Sequence, residues 1–341
     1  MNKTDLDKLT GLFSKQLNIV ITSHFNPDGD AVGSVMAVYH ILKQMNHHVT
    51  IAFPNHFPSF LGWIKDSENS LFYDRNKTEI EKALKTADII FCLDYNALNR
   101  LGEMEVPLQK AVGIKILIDH HPNPEIERFQ YVLHDTSVSS TAELVYDFLQ
   151  MLQFNDRINQ AAAESLYAGI ITDTGSLSFN CNQSRTYRIV ADLVDRGVHA
   201  ERLHRLIYDN FSEKRMRLLA YALHQKMEII VGQRTALIPL TLDELEQFDF
   251  QQGDTEGIVN FPLSIRTINL SILLTQRKDR IRISFRSKGD FPANEIATKY
   301  FIGGGHRNAA GGDSFVPMEE TIRKIKEILP LYFSQLDFDV K

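Results

Sequence analysis

At 341 residues the chain has room for two domains of roughly 100–200 residues each. Hydrophobic residues make up 43% and charged residues 23%, a balance that supports a sizeable core and excludes disorder as the default. The net charge of -6, with 37 Lys and Arg against 43 Asp and Glu, argues against a grip on long nucleic acid, which needs a basic excess to displace counterions, and favours a short anionic substrate held by local positive charge.

The opening residues, MNKTDLDKLTGLF, lack the apolar run of a leader, and no stretch reaches the roughly 18 apolar residues of a spanning helix, so the expectation is a cytoplasmic protein without a membrane partner. Cys92 and Cys181 show no CxxC spacing and read as reduced, buried thiols. Strand-length apolar runs at 18–22, 49–53, 87–93 and 115–118 alternate with helical periodicity at 31–45 and 80–85, the pattern of a mainly parallel sheet flanked by helices. A further helical segment, 160–171, leads into Thr172-Asp173-Thr174-Gly175. Residues 184–217 turn polar and helical, and strand runs resume at 235–240, 268–275 and 280–285. The expected organisation is an α/β domain over 1–198, a helical linker over 199–215 and a smaller α/β domain with a mixed sheet over 216–341.

Directly after the first strand, HFNPDGDAVGS places His24, Asp28 and Asp30 within seven residues. Three ligand-type side chains on one loop can converge on a cation; a helix N-cap beside a surface histidine is the plainer alternative. The other strand ends favour the cation. The run 87–93 stops at Asp94, the run 115–118 stops at Asp119-His120-His121, and Asp173 follows another apolar run, as if from the same kind of position. Acidic residues and histidines are poor strand formers, and strand ends of this kind share one rim of a parallel sheet. Carboxylates gathered there repel unless divalent cations neutralise them. The mixed oxygen and imidazole set suits Mn²⁺ better than Mg²⁺, and Zn²⁺ less well than either.

In the second domain, Arg280, Arg282, Ser284 and Arg286 alternate with Ile281, Ile283 and Phe285, which puts donors suited to phosphate on one strand face and apolar residues on the other. Gly303, Gly304 and Gly305 allow close approach of a ligand, and successive amides in a turn of this kind before His306 can form an anion nest.

HFNPDGDAVGS, Asp94, Asp119-His120-His121 and Asp173-Thr174-Gly175, in this order, resemble the motifs of the DHH phosphoesterase family, and FRSKGDFPANEIATKYFIGGGHRNAAGG resembles that family's associated C-terminal domain. The resemblance implies one cation site of His24, Asp28 and Asp94 and a second of Asp30, Asp94, His120 and Asp173, with Asp94 shared. It implies a non-ligand catalytic role for His121, and substrate binding by Arg286, Ser284, Gly304, Gly305 and His306. Within the family the chain is similar to nanoRNase/pAp phosphatases. They act with two divalent ions, Mn²⁺ before Mg²⁺, on short oligoribonucleotides or 3'-phosphoadenosine 5'-phosphate (pAp). A soluble phosphodiesterase of cyclic di-adenylate or its linear product pApA is the alternative within the family, and a non-catalytic nucleotide- or RNA-binding protein the alternative from another class. The sequence leaves oligomeric state open, a homodimer included.

Overall fold

The computed structural model describes residues 1–251 and 253–339, which divide into two compact units, Met1–Asn210 and a second beginning at Phe211. In the first, the described residues form one sheet from β1 (Asn18–Thr22), β2 (His48–Phe53), β3 (Leu71–Phe72), β4 (Ile89–Leu93), β5 (Ile114–Asp119) and β6 (Tyr131–His134). Its order is β3-β2-β1-β4-β5-β6 and every pairing is parallel. All five residues of β4 are buried, as expected of a strand covered on both faces. Chain order reverses between β1 and β4, and the crevice of such a sheet opens there, beyond the strands' carboxyl ends. The short edge strands β3 and β6 have no counterpart in the sequence reading.

Helices α1 (Lys3–Phe13), α2 (Gly29–Gln44), α3 (Tyr73–Thr86), α4 (Glu105–Lys110), α5 (Thr141–Met151), α6 (Gln160–Asp173), α7 (Ser184–Asp195) and α8 (Ala200–Tyr208) complete the unit. Helix α2 is buried from Gly29 to Leu42, so the first unit's core surrounds it. It crosses α6 at very short range. A methyl on Gly33 would stand 2.4 Å from the Ser165 carbonyl oxygen, and one on Gly169 would stand 2.9 Å from Asp30 Oδ1. These glycines let the backbones approach and carry Asp30 toward Asp173. The helical segment expected over 160–171 is α6, and Asp173 is its last residue, so this carboxylate comes from a helix end and not from the same kind of position as the strand-end Asp94. The polar stretch 184–217 is helical in α7, α8 and the start of α9 (Glu213–Tyr221), with Leu203 and Ile207 of α8 packed into the first core.

The second unit's described residues build a mixed sheet from β7 (Glu228–Ile230), β8 (Thr235–Leu240), β9 (Leu270–Gln276), β10 (Ile281–Ser287), β11 (Ile302–His306) and β12 (Ala309–Ser314), in the order β11-β12-β10-β9-β8-β7. Only β8–β9 is parallel among these pairings. Helices α10 (Leu242–Gln247), α11 (Ala293–Tyr300), α12 (Met318–Ile328) and α13 (Phe333–Leu336) accompany α9. The glycine run falls in β11, extended and paired, which corrects the expected anion-nest turn. A methyl on Gly303 would lie 2.1 Å from the Gly311 carbonyl oxygen, so the run serves the approach of two glycine-rich strands. Among the described residues no helix is long and apolar enough to cross a membrane.

Gly33→Ala is expected to lower stability by about 2 kcal/mol, the usual cost of forcing a methyl into a packed contact, measured by urea unfolding. A second expectation concerns Glu244, at the start of α10. Burial would raise its pKa, but hydrogen bonds from Lys226, the Thr241 amide and Tyr221 hold it at about 2. A carboxylate with a depressed folded pKa stabilises fully above its unfolded value of 4.5 and ceases to do so as pH falls toward 2. Glu244→Gln should therefore cost about 1–2 kcal/mol at pH 7, and its difference from wild type should narrow between pH 5 and pH 3.

Candidate active site

The carboxyl ends of the first unit's strands deliver the polar residues that interrupt their apolar runs. His24 stands two residues past β1, Asp94 directly follows β4, and Asp119 closes β5 ahead of His120 and His121. Asp94 adopts a left-handed backbone, φ +65, and its N–H donates to the Ile118 carbonyl at 3.0 Å. Such a conformation is costly for a side-chain-bearing residue and persists when its surroundings fix it. His24 Nδ1–H donates to the Phe25 carbonyl at 2.9 Å, which turns Nε2 toward Asp94 Oδ2 at 3.5 Å and Asp28 Oδ1 at 3.9 Å. On the other side, His120 Nε2 lies 3.7 Å from Asp94 Oδ1, 3.5 Å from Asp173 Oδ2 and 3.9 Å from Asp30 Oδ2. The two oxygens of Asp94 thus face two different histidine–aspartate groups. Ligand atoms of His24, Asp28 and Asp94 lie within 4.8 Å of one another, as do those of Asp30, Asp94 and His120.

The N-cap alternative holds as well for one member. Asp28 caps α2, its Oδ1 accepting the N–H groups of Asp30 and Ala31, while the side chain stays 60% exposed and within reach of His24. Capping uses one oxygen and leaves the carboxylate charge at the rim.

Electrostatics favour a cation in this cluster. Burial, then the charges of Asp94, Asp173 and Asp28, push the Asp30 carboxyl well above its ordinary value. Withdrawal from water raises Asp173 to about 6, against the nearby His120 and with help from Asp28 and Asp94. Burial alone would raise Asp94 too, but contact with His24 and the charges of His121, His24 and His120 hold it well below the usual carboxylate range. Burial alone would lower the pKa of His24, but the Asp94 contact together with the charges of Asp28 and Asp94 raises it. Oxygen and imidazole donors crowded to the point of resisting ionisation fit divalent metal ions, which would supply the missing positive charge.

Two features escape the sequence reading. Asp119, fully buried, accepts from His121 Nδ1 at 2.8 Å and from the His121 N–H at 3.1 Å, so it fixes the ring and its protonation. Burial would lower the pKa of His121, yet the Asp119 hydrogen bond and the charges of Asp94 and Asp119 carry it to about 9. An acid two residues ahead of a histidine is the signal in sequence. The start of α5 is the second feature. Thr141 and Ala142 donate their N–H groups to Asp30 Oδ2 and Oδ1 at 2.6 and 2.8 Å, and the Thr141 hydroxyl donates to Asp94 Oδ1 at 2.8 Å. Main-chain donors leave no trace in sequence.

In the second unit, register places Arg286, Ala309 and His306 in one row across β10, β12 and β11, and Ser284, Gly311 and Gly304 in the next. Directly opposed residues share a face, as do residues two apart along a strand. Arg286, Ser284 and His306 therefore border a floor of small residues on the face opposite buried Ile281, Ile283 and Phe285. Gly305 belongs to the other face, paired with buried Ala310. Arg280 and Arg282, on the same side as Arg286, pair with Asp313, the plainer reading of a solvated strand.

A parallel sheet whose rim gathers five aspartates and three histidines, with a separate arginine-bearing sheet, suits a hydrolase acting on phosphate esters. Residues 18–170 match the DHH family, N-terminal domain, and residues 235–333 the DHHA1 domain. The chain belongs to the DHH family. The probable bifunctional oligoribonuclease and PAP phosphatase of Streptococcus mutans is 30% identical over 315 residues, 91% of this chain and 94% of that protein. The crystal structure of an exopolyphosphatase-related protein from Bacteroides fragilis is 38% identical, with TM-score 0.95 over 99% of this chain and 98% of that one. RecJ from Thermus thermophilus, solved in complex with Mn²⁺, shares the fold at 13% identity and TM-score 0.59 over 98% of this chain and 55% of that one.

Asp119→Asn keeps the size of the residue but removes the charge that holds a proton on His121. Turnover is expected to fall by roughly 100-fold with little change in KM, since acid–base assistance is worth about 10²–10⁴-fold; steady-state kinetics on a phosphate ester checks it.

Proposed function

We propose that the chain is a two-cation phosphoesterase of short oligoribonucleotides and pAp, with Mn²⁺ as the preferred ion. The observation that carries this reading is the division of Asp94, with Oδ2 toward His24 and Oδ1 toward His120. On this reading His24, Asp28 and Asp94 hold one ion, and Asp30, Asp94, His120 and Asp173 the other. Bound ions would supply an acidified water and neutralise the charge of the phosphoryl group. His121, kept protonated by Asp119, holds a proton at Nε2 for a phosphoryl or leaving oxygen. Arg286, Ser284 and His306 bind the substrate's other phosphate and its base, with Gly304 leaving the floor between them open and Gly305 letting the strands pack. The relative named for oligoribonuclease and PAP phosphatase activity supports this choice of substrate over cyclic di-adenylate.

The test is a panel of pAp, pApA, cyclic di-adenylate, oligoribonucleotides of a few residues and a long single strand, run with Mn²⁺ and with Mg²⁺, with products separated by chromatography. Short oligoribonucleotides and pAp should turn over much faster than the long strand, as the acidic net charge offers no extended basic track. Equal rates on short and long strands would sink the size limit, and preference for cyclic di-adenylate would move the reading to the phosphodiesterase alternative. Absence of turnover on every member would favour a binding protein. Asp94→Ala should be inactive throughout. Arg286→Ala should lose roughly 30- to 1,000-fold on pAp while staying within a few-fold on an aryl phosphodiester that has no second phosphate.

A further inference from the structure

Asp30 and Asp94 come from different segments, one inside α2 and the other past β4, yet the first residue of α5 touches both. Thr141 donates its N–H to Asp30 Oδ2 at 2.6 Å and its hydroxyl to Asp94 Oδ1 at 2.8 Å, and Ala142 N–H completes the hold on Asp30 at 2.8 Å. Thr141 is fully buried.

The start of α5 is itself fixed from behind. Ser140 Oγ accepts the Glu143 N–H at 3.2 Å. The buried Glu143 carboxylate accepts the N–H and hydroxyl of Ser139 and the hydroxyl of Thr186, and pairs with Arg185, which also reaches Asp147. These bonds fix the first turn of α5, so the Thr141 hydroxyl has little freedom to follow a moving carboxylate. The hydroxyl meets only one of the two Asp94 oxygens, the one facing His120, and leaves Oδ2 to His24.

We propose that Thr141 is a positioning residue that presents Asp94 Oδ1 and Asp30 Oδ2 to the Asp30–His120–Asp173 side of the rim, and so sets the affinity of that cation site independently of the His24–Asp28 side. The proposal rests on the two-cation reading above. A hydroxyl bonded to a ligand carboxylate fixes which lone pair points at the ion, and losing such an outer partner typically weakens metal binding about 10- to 100-fold. Because the contact is one-sided, the loss falls on one site.

Mn²⁺ titration calorimetry on the metal-free full chain tests this in wild type, Thr141→Val, Thr141→Ala and Thr141→Ser, with circular dichroism and thermal melts of the metal-free proteins alongside. Wild type should take up two ions. Thr141→Val and Thr141→Ala should keep one site near wild-type affinity and weaken the other roughly 10- to 100-fold, while Thr141→Ser, which retains the hydroxyl, should stay within a few-fold at both. Wild type binding fewer than two ions would overturn the two-cation reading and this inference with it. Two ions bound with unchanged affinities in Thr141→Val and Thr141→Ala would overturn the positioning role alone. Equal weakening of both sites, with a lowered melt and no rescue by Thr141→Ser, would make Thr141 a packing residue and overturn it as well.

Discussion

The first unit is organised around a repulsion. Asp30, Asp94 and Asp173 sit close enough to raise one another's cost of ionisation, in surroundings that exclude much of the water that would screen them. Each neighbouring element supplies partial compensation. His24 and His120 flank Asp94, α5 turns its first two amides onto Asp30, and Asp28 spends one oxygen on the start of α2. Amides at a helix start carry positive partial charge, so the arrangement offsets part of the crowding with fixed dipoles. The remainder is the charge a divalent cation would bring.

That crowding is only reachable because the scaffold brings distant segments to one place. The parallel sheet aligns the ends of β1, β4 and β5, and the close crossing of α2 and α6 adds carboxylates from two helices. The second unit solves a simpler problem. Its antiparallel rows place Arg286, Ser284 and His306 around a floor of small residues.

Much of this is legible in the sequence, for identifiable reasons. Runs such as 18–22 and 235–240 coincide with β1 and β8 because β-branched and apolar residues end abruptly at polar ones. His24, Asp94 and His120 stand out because they break those runs. The helix leading into Asp173 is legible too, but a short apolar run before an acid looks the same at a helix end as at a strand end, so the kind of position Asp173 holds is not. Gly303 to Gly305 mislead about a turn because the facing strand carries Gly311 and Gly312, and two such strands pair closely. The hold on Asp30 is invisible for a different reason: it is carried by the backbone N–H groups of Thr141 and Ala142, which every residue except proline would supply.

The cluster's members are drawn from His24 to Asp173, nearly the whole span of the first unit's sheet and its central helices. Ligand atoms so far apart in the chain lie together only in the folded unit, so an ion held by them would bind the folded chain and not the unfolded one. Occupied, the rim would tie the sheet to α2 and α6, and the stability of the first unit would rise with the concentration of the ion.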